Sequence, residues 1–187
     1  MKHARPEQAA LTKDNDLTAT DTTRGVIEAM VDGLNDHRIA DIGEFFHDDF
    51  RWMGNAGCGF KEGLREFQEG WQKPFQAAFS DKVCIDEARL YEGEWAAAFG
   101  RQEALHSGEF MGIAPTGKRV IIRYMDFWKV VDGKIVDNWV MVDFASIMRQ
   151  LGVDAFDGHG WENKTENPKR DHRPDQFPWR RGRTLSA

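Results

Sequence analysis

One carboxylate stands out among the residues able to do chemistry. Asp126 interrupts the apolar face of a strongly alternating segment that ends at a tight Asp132-Gly133 turn. A carboxylate in apolar surroundings is costly unless it is paired, solvated or protonated, and burial raises its pKa. A carboxyl group that titrates near the working pH serves first as a general base and then as a general acid. We therefore predict an acid/base role for Asp126, with a hydrogen bond to nearby backbone or a Trp indole as the alternative.

Strand alternation predicts the surroundings of this carboxylate. The face that carries Asp126 also holds Tyr124 and Trp128. If Asp132-Gly133 forms a two-residue primed turn, Trp139 pairs with Asp126 and joins this face. A one-residue slip would place Asn138 there instead. The register with Trp139 is the prediction.

His106 is the second candidate catalytic residue. It ends a predicted strand and would donate a hydrogen bond to a substrate carbonyl, stabilising an enolate. The alternative is a structural histidine whose hydrogen bonds are satisfied at the end of the strand. Asp143 would orient His106, or form an ion pair with Arg101 or Arg123.

Other side chains are candidates for ligand contact. His47 and Trp52 flank a crossing from helix to strand where a pocket would open, and the Tyr124 hydroxyl is a possible donor. The full predicted substrate-binding set is Tyr124, Trp128, Trp139, Asp143, His47, Trp52 and Arg101.

Metal and nucleotide sites are not supported. The consecutive residues His47, Asp48 and Asp49 cannot easily converge on one ion, and no spaced His/Cys set accompanies them. No Walker loop or GxGxxG motif occurs, and the glycine-containing segment at 112–118 lacks a strand-to-helix context.

Composition limits the class of protein. The 187 residues suffice for one sizeable core, and a net charge of -6 argues against a nucleic-acid or anionic-membrane binder. The two cysteines form no framework, and no apolar run is long enough to span a bilayer. We expect a cytoplasmic protein. Seven Trp and thirteen Phe suit a large core or a cavity for a flat apolar ligand.

The order of elements predicts an α+β fold. Helical periodicity prevails from Asp21 to about Phe79, apart from a short extended piece at Phe50–Met53 and a turn at residues 54–57. A kink is expected near Gln72 because Pro74 follows. Four alternating strands and a closing helix that ends at Gly152 come next. We predict a flexible arm over residues 1–19, one domain over 20–152, and a C-terminal extension over 153–187. That extension is either a disordered tail or a segment packed on its own domain or on a second subunit.

Several motifs resemble the SnoaL-like polyketide cyclases of the NTF2-like superfamily. They are the run His106–Lys118, Asp126 two residues before an aromatic residue, the Asp132-Gly133-Lys134-Ile135-Val136 hairpin, Trp139 with Asp143 four residues on, and the closing Arg149-Gln150-Leu151-Gly152. The resemblance covers about Thr22 to Gly152. The sequence departs from the family at Ala104-Leu105 before His106, and at Phe99 where an Arg is common.

The resemblance implies a fold, a reaction and an assembly. The fold is a cone-shaped α+β barrel, with N-terminal helices packed on a curved antiparallel sheet and a pocket between them, often in a homodimer. Founding members close a ring of an aromatic polyketide by intramolecular aldol condensation, without metal or organic cofactor. Their acid/base Asp maps onto Asp126, and the ligand would be a small hydrophobic carbonyl compound.

Two alternatives remain open from the sequence. The cone of a hydrolase or hydratase holds an Asp–Arg–Asp cluster that activates water, and Asp126, Arg101 and Asp143 are possible members. A non-catalytic binding protein is the other alternative. It would gain support if Trp128, Trp139 and Phe99 filled the cone.

Overall fold

The computed structural model describes residues 17–36 and 41–161. Helix α1 spans Leu17–Asn35, and a short 3-10 helix spans Asp41–Phe45. Strands β1 (Phe46–Gly54) and β2 (Phe60–Glu62) precede helix α2 (Gly63–Phe67), a π-helical turn (Gln68–Gln72) and helix α3 (Lys73–Ala78). Four long strands follow, and the last helix closes the domain: β3 (Phe79–Glu92), β4 (Trp95–His106), β5 (Arg119–Val131), β6 (Lys134–Val142) and α4 (Phe144–Gln150).

The predicted α+β architecture is confirmed. Six strands form one sheet in the order β2-β1-β6-β5-β4-β3, and helices pack on one of its faces. The sheet is curved and not closed, since β2 and β3 remain its edges. Strands β3 to β6 form the predicted antiparallel meander, but β1 runs parallel to β6. The sequence did not predict that parallel pair, whose two strands are connected by the long segment 55–133.

The hairpin between β5 and β6 has the predicted turn but not the predicted register. Asp132 and Gly133 both have positive φ, as a type I′ turn requires. Val130 pairs with Ile135 as expected, but Lys129 then pairs with Asp137, so Val136 is an extra residue in β6. Such a β-bulge shifts the pairing by one residue and turns all later side chains to the opposite face. The predicted pairing of Asp126 with Trp139 is therefore wrong.

Helix α1 is held on the inner face of the sheet at both of its ends. The Thr23 hydroxyl donates to the carbonyl of Gly93 over 2.8 Å, and the Asn35 amide exchanges hydrogen bonds with the backbone of Cys84. Buried Ile27, Met30 and Val31 lie between these ends. The helix thus covers one side of a cavity against β3 and β4.

The helical run 63–78 contains the predicted irregularity. Its π-helical turn over Gln68–Gln72 comes directly before Pro74, which lacks the N–H that a regular helix would use. Trp71 lies in this turn and stacks between Trp52 and Phe75, with ring centroids at 4.9 and 4.7 Å. This aromatic stack forms one wall of the cavity.

The assignments at both termini stay predictions. Residues 1–16 of the predicted arm and 162–187 of the predicted extension lie outside the described residues. Helix α1 already begins at Leu17. In the part of the chain that the structure covers, no helix is long and apolar enough to cross a membrane.

Candidate active site

Asp126 lies on the inner face of the sheet, in a cavity of about 140 Å³ between the helices and strands β4 to β6. Its residue surface is only 9% exposed. The cavity walls are mainly aromatic and aliphatic, and they include Trp52, Trp71, Phe75, Trp128, Ile122 and Val140. The predicted carboxylate in an apolar, aromatic pocket is therefore present in the structure.

Asn138 is the side chain that holds this carboxylate. Its amide Nδ2 donates to Asp126 Oδ1 over 2.9 Å. Burial raises the pKa of Asp126 to about 7, the Asn138 hydrogen bond opposes that rise, and the charge of Asp86 adds to it. The second carboxyl oxygen, Oδ2, has no hydrogen-bond partner among the described residues. Asp126 therefore keeps one oxygen for a ligand and titrates near neutral pH.

Tyr124 lines the same cavity, but its hydroxyl is hydrogen-bonded to Asp86 and not directed to a ligand. It donates a hydrogen bond to Asp86, which also pairs with Arg89. The contact requires Gly100, which lies between Tyr124 and Asp86 in the register of β3, β4 and β5. A Cβ at Gly100 would lie 2.2 Å from the carbonyl oxygen of Ile85. Burial and the Asp86 hydrogen bond raise the pKa of Tyr124, so the phenol stays neutral.

Trp52 and Trp128 are both buried in the cavity wall, where ligand contact was predicted. Trp139 is not there. The β-bulge turns it to the outer face, where it is 40% exposed and lies 5.7 Å from the ring of Trp95. Asn138 takes its place beside Asp126, the arrangement that a one-residue slip predicts.

His106 is not brought to Asp126. It ends β4 opposite Phe79, eight residues along the strand from Ala98, which pairs with Asp126. Its Nδ1 accepts a hydrogen bond from the Thr116 backbone N–H over 3.2 Å, so the proton of the neutral ring resides on Nε2. Burial lowers the pKa of His106. His106 does not line the cavity, so the predicted contact with a substrate carbonyl has no support in this geometry.

Arg101 and Asp143 lie on the outer face of the sheet, across from Asp126. Arg101 forms ion pairs with Glu87 and Glu103, each at 3.0 Å. Asp143 caps helix α4 by accepting a hydrogen bond from the Ser146 N–H. The Asp–Arg–Asp cluster considered for water activation is therefore not formed, because Asp126 faces the opposite side of the sheet.

His47 also lies outside the cavity. Its side chain is 51% exposed, and its Nδ1 accepts a hydrogen bond from the Asp49 N–H. No group of three or more potential metal ligands occurs within residues 17–36 and 41–161.

The outer face of the sheet carries a second concavity. This groove of about 640 Å³ is larger than the inner cavity and lies beside Phe99, Met125 and Met141. Its charged residues are partly solvated, and Arg101 is already paired. We place the site at the smaller cavity because it contains the buried carboxylate that titrates near neutral pH.

The sequence reasoning missed four polar residues that line the inner cavity, namely Gln72, Gln76, Lys82 and Gln102. The even-numbered parity that Gln102 shares with Ala104 and His106 on β4 was available as a signal. Lys82 lies within an irregular step in the pairing of β3 with β4, between Ser80 and Val83, so alternation alone does not predict its face.

Comparison with known proteins agrees with the fold. The profile of the SnoaL-like polyketide cyclases matches residues 24–151. Nogalonic acid methyl ester cyclase of Streptomyces nogalater is 32% identical over 135 residues, which cover 71% of this chain and 98% of that protein. Aklanonic acid methyl ester cyclase of Streptomyces peucetius is 28% identical over 140 residues, covering 73% and 94%.

Solved structures show the same architecture. AclR from Streptomyces galilaeus superposes with a TM-score of 0.64 at 23% identity, covering 71% of this chain and 97% of its own. The helices on a curved sheet define an NTF2-like protein. Within that class, this chain belongs to the SnoaL-like polyketide cyclase family.

Proposed function

We propose that this protein is a polyketide cyclase that closes a ring by intramolecular aldol addition, with Asp126 as its acid/base residue. The observation that carries the proposal is the buried Asp126, whose pKa is raised to about 7 and whose Oδ2 has no partner among the described residues. The substrate would be a flat, hydrophobic polyketide with several carbonyl groups. The two cyclases reported above are named for nogalonic acid methyl ester and aklanonic acid methyl ester.

The proposed reaction needs one proton acceptor. Ionised Asp126 removes a proton from a carbon flanked by carbonyl groups, and the C–H electrons pass into a carbonyl to form an enolate. The enolate carbon attacks a second carbonyl carbon of the same molecule, which forms the new C–C bond and leaves an alkoxide. Protonated Asp126 then returns its proton to that alkoxide. The product is an isomer of the substrate, and no electrons are exchanged with a cofactor.

The surroundings suit this cycle. A base whose conjugate acid has a pKa near 7 is partly ionised at neutral pH and is still acidic enough to protonate an alkoxide. Asn138 fixes Oδ1, so Oδ2 is directed toward the ligand. Trp52 and Trp128 supply flat apolar walls that exclude water.

The cavity must widen to admit a multi-ring ligand. Its volume of about 140 Å³ is below the ~300–1,000 Å³ usual for small-molecule sites. Trp139 and Phe99 face outward, so the filled cone that would favour a non-catalytic protein is not observed. Trp71, on the π-helical turn, is the half-buried wall residue that we expect to move.

Turnover measurements test the proposal. Purified protein is incubated with nogalonic or aklanonic acid methyl ester, and the cyclised isomer is separated by chromatography and identified by NMR. We expect Asp126→Asn to lower the rate about 10²- to 10⁴-fold, the usual contribution of a general acid/base. Asp132→Asn, at the exposed hairpin, is the matched control. Equal rates for wild type and Asp126→Asn would refute the acid/base role.

We also propose that the protein is a homodimer assembled through the outer face of its sheet. This face exposes apolar side chains on three neighbouring strands, namely Phe99, Met125, Phe127, Trp139 and Met141. Contiguous apolar patches on soluble proteins mark interaction sites. Charges of both signs border the patch, at Arg101 with Glu87 and at Lys129 with Glu94, as a self-complementary two-fold interface requires.

A further inference from the structure

The cavity has a second polar region that the proposed proton transfer does not use. Four side chains with polar ends line it together with Asp126: Gln72, Gln76, Lys82 and Gln102. We call these four residues the polar end of the cavity. Polar groups in an otherwise aromatic wall fix the orientation of a ligand rather than its general affinity.

Lys82 brings a cation to this region. Its Nζ donates to the Phe79 carbonyl over 2.6 Å and lies 6.0 Å from the centre of the Phe75 ring. Burial lowers its pKa, and no carboxylate lies within 4.0 Å of it in the part of the chain that the structure describes. One carbonyl satisfies one of the three ammonium donors. The remaining donors suit an anionic oxygen.

Gln102 adds an unsatisfied amide. Its Oε1 is buried and has no hydrogen-bond partner among the described residues. The oxygen and nitrogen of such an amide are interchangeable in assignment, so one amide atom lacks a partner in either orientation. A buried polar group without a partner is unfavourable. When the amide is turned over, its nitrogen takes the buried position, and a ligand oxygen that accepts from the N–H groups there removes the penalty.

The sheet register places these two residues side by side and away from Asp126. Gln102 pairs with Cys84, two residues along β3 from Lys82, and both Lys82 and Gln102 line the cavity, so they are within reach of one another's long side chains. Asp126 pairs with Ala98, four residues further along β4. Four residues of strand span ~13 Å. A ligand in contact with both regions must be elongated.

We propose that Lys82 and Gln102 bind an anionic oxygen of the substrate, a carboxylate or an ionised phenol, and thereby determine which carbon lies against Asp126. The inference depends on the proposed function for the ligand to be the substrate. The anion-binding site itself does not depend on turnover, so it is testable with compounds that do not react.

Two matched pairs of probes measure the preference by isothermal titration calorimetry. The first is anthraquinone-2-carboxylate against anthraquinone-2-carboxamide, and the second is ionised 2-hydroxyanthraquinone against its methyl ether. We expect the wild type to bind the anion of at least one pair about 10-fold more tightly than its neutral partner, as a charge-assisted hydrogen bond provides. The pair that shows the preference identifies the acidic group.

Variants connect that preference to the two residues. Lys82→Met should abolish it and leave the affinity for the neutral probe unchanged, which also reports that the cavity is folded. Lys82→Arg should retain most of the preference for the anionic probe, and Gln102→Glu should reverse that preference. Lys118→Met, at an exposed position, should leave the preference unchanged. Equal binding of both probes by wild type, no binding of either, or a preference that survives in Lys82→Met would overturn the proposal.

Asp126→Asn separates this inference from the proposed function. If the variant loses turnover and keeps the anion preference, both proposals stand. If Lys82→Met changes nothing while Asp126→Asn is inactive, the anion site alone fails. If Asp126→Asn remains active while Lys82→Met loses the preference, the acid/base role alone fails.

Discussion

The amide of Asn138 donates to the carboxylate of Asp126 across the β5–β6 hairpin over 2.9 Å. The contact exists because Val136 is one residue in excess on β6, which turns Asn138 inward and Trp139 outward. Asp126 consequently has a neutral hydrogen-bond donor for a partner, and not a cation. A cationic partner would hold its pKa far below neutral, whereas an amide only moderates the effect of burial.

Replacing Asn138 by Leu should raise the pKa of Asp126 further. The Asn138 hydrogen bond lowers that pKa, so its loss favours the protonated carboxyl group. The loss of a hydrogen bond of ~1 kcal/mol raises the pKa by ~0.7 units. Less base is then ionised at pH 7, and because the pKa starts at about 7, we expect the rate there to fall about 3-fold. The fall should disappear at higher pH, where Asp126 ionises in both proteins. A pH–rate profile measures the displacement.

Trp139→Phe is the control for that experiment, because it changes the next residue on the opposite face of the sheet. Its pH–rate profile should match that of the wild type. If the Asn138→Leu profile keeps the wild-type midpoint and falls equally at every pH, Asn138 acts on something other than the ionisation of Asp126.

Asp126→Asn should stabilise the folded protein at neutral pH. The folded-state pKa of about 7 lies above the unfolded value of ~3.9, so the native state binds more protons between these values. The contribution of protonated Asp126 to the free energy of unfolding is therefore fully present below pH ~4 and is lost as the pH rises through 7. A displacement of three units corresponds to ~4 kcal/mol, which the Asn variant avoids at pH 8. Urea unfolding of wild type and Asp126→Asn at pH 4 and pH 8 measures the difference in their free energies of unfolding.

The difference between the two proteins should shrink toward zero at pH 4. Asp132→Asn, on the exposed hairpin, should show no comparable pH dependence. A stability gain of equal size at both pH values would indicate a packing effect, and would contradict the raised pKa.

The sequence predicted Asp126 and its apolar setting because strand alternation is a local property. Tyr124 and Trp128 share its face, as predicted. The prediction assigned the residues beyond the hairpin to the wrong faces of the sheet. A β-bulge depends on how two strands pair, and no single residue type in β6 predicts it. A single inserted residue exchanged Trp139 for Asn138.

Long-range placement failed for a similar reason. The sequence predicted a site that combines Asp126 with His106, Arg101 and Asp143. Alternation within β4 does not tell which face of the strand meets the helices. His106 lies on the inner face yet too far along β4. Its distance from Asp126 follows from the register of β4 with β5, which alternation does not supply.

Gly100→Ala should destabilise the sheet beneath the site. The added Cβ would lie 2.2 Å from the Ile85 carbonyl oxygen and 2.8 Å from Asp86 Cα, both backbone atoms. The strands must separate, which weakens the Tyr124–Asp86 hydrogen bond above them. We expect a loss of about 1–3 kcal/mol, as for other overpacked sites, measured by urea unfolding.

Gly25→Ala is the matched control because a Cβ there meets nothing within 4 Å. Gly25 lies in helix α1, where Ala is favoured over Gly by about 0.5–1 kcal/mol. The two substitutions should therefore change stability in opposite directions. A neutral Gly100→Ala would show that β3 and β4 can move apart at this point without penalty.

The dimer proposal predicts a change of mass in solution. Phe127 and Met141 are each more than half exposed near the centre of the outer face. A buried, unpaired carboxylate at an interface is strongly unfavourable. Phe127→Glu and Met141→Glu should each raise the dissociation constant by at least about 100-fold, equivalent to ~2.7 kcal/mol. Light scattering after size exclusion then detects a monomer at micromolar concentration.

Phe60→Glu controls for the general effect of a new charge. Phe60 is similarly exposed but belongs to the short edge strand β2, away from the patch. The Phe60→Glu substitution should leave the dimer intact. The inner cavity opens on the opposite face, so the monomeric variants should still bind the anthraquinone probes. If wild type is itself a monomer at high concentration, the exposed face must serve a different partner, and the dimer proposal is refuted while the assignment of Asp126 is unaffected.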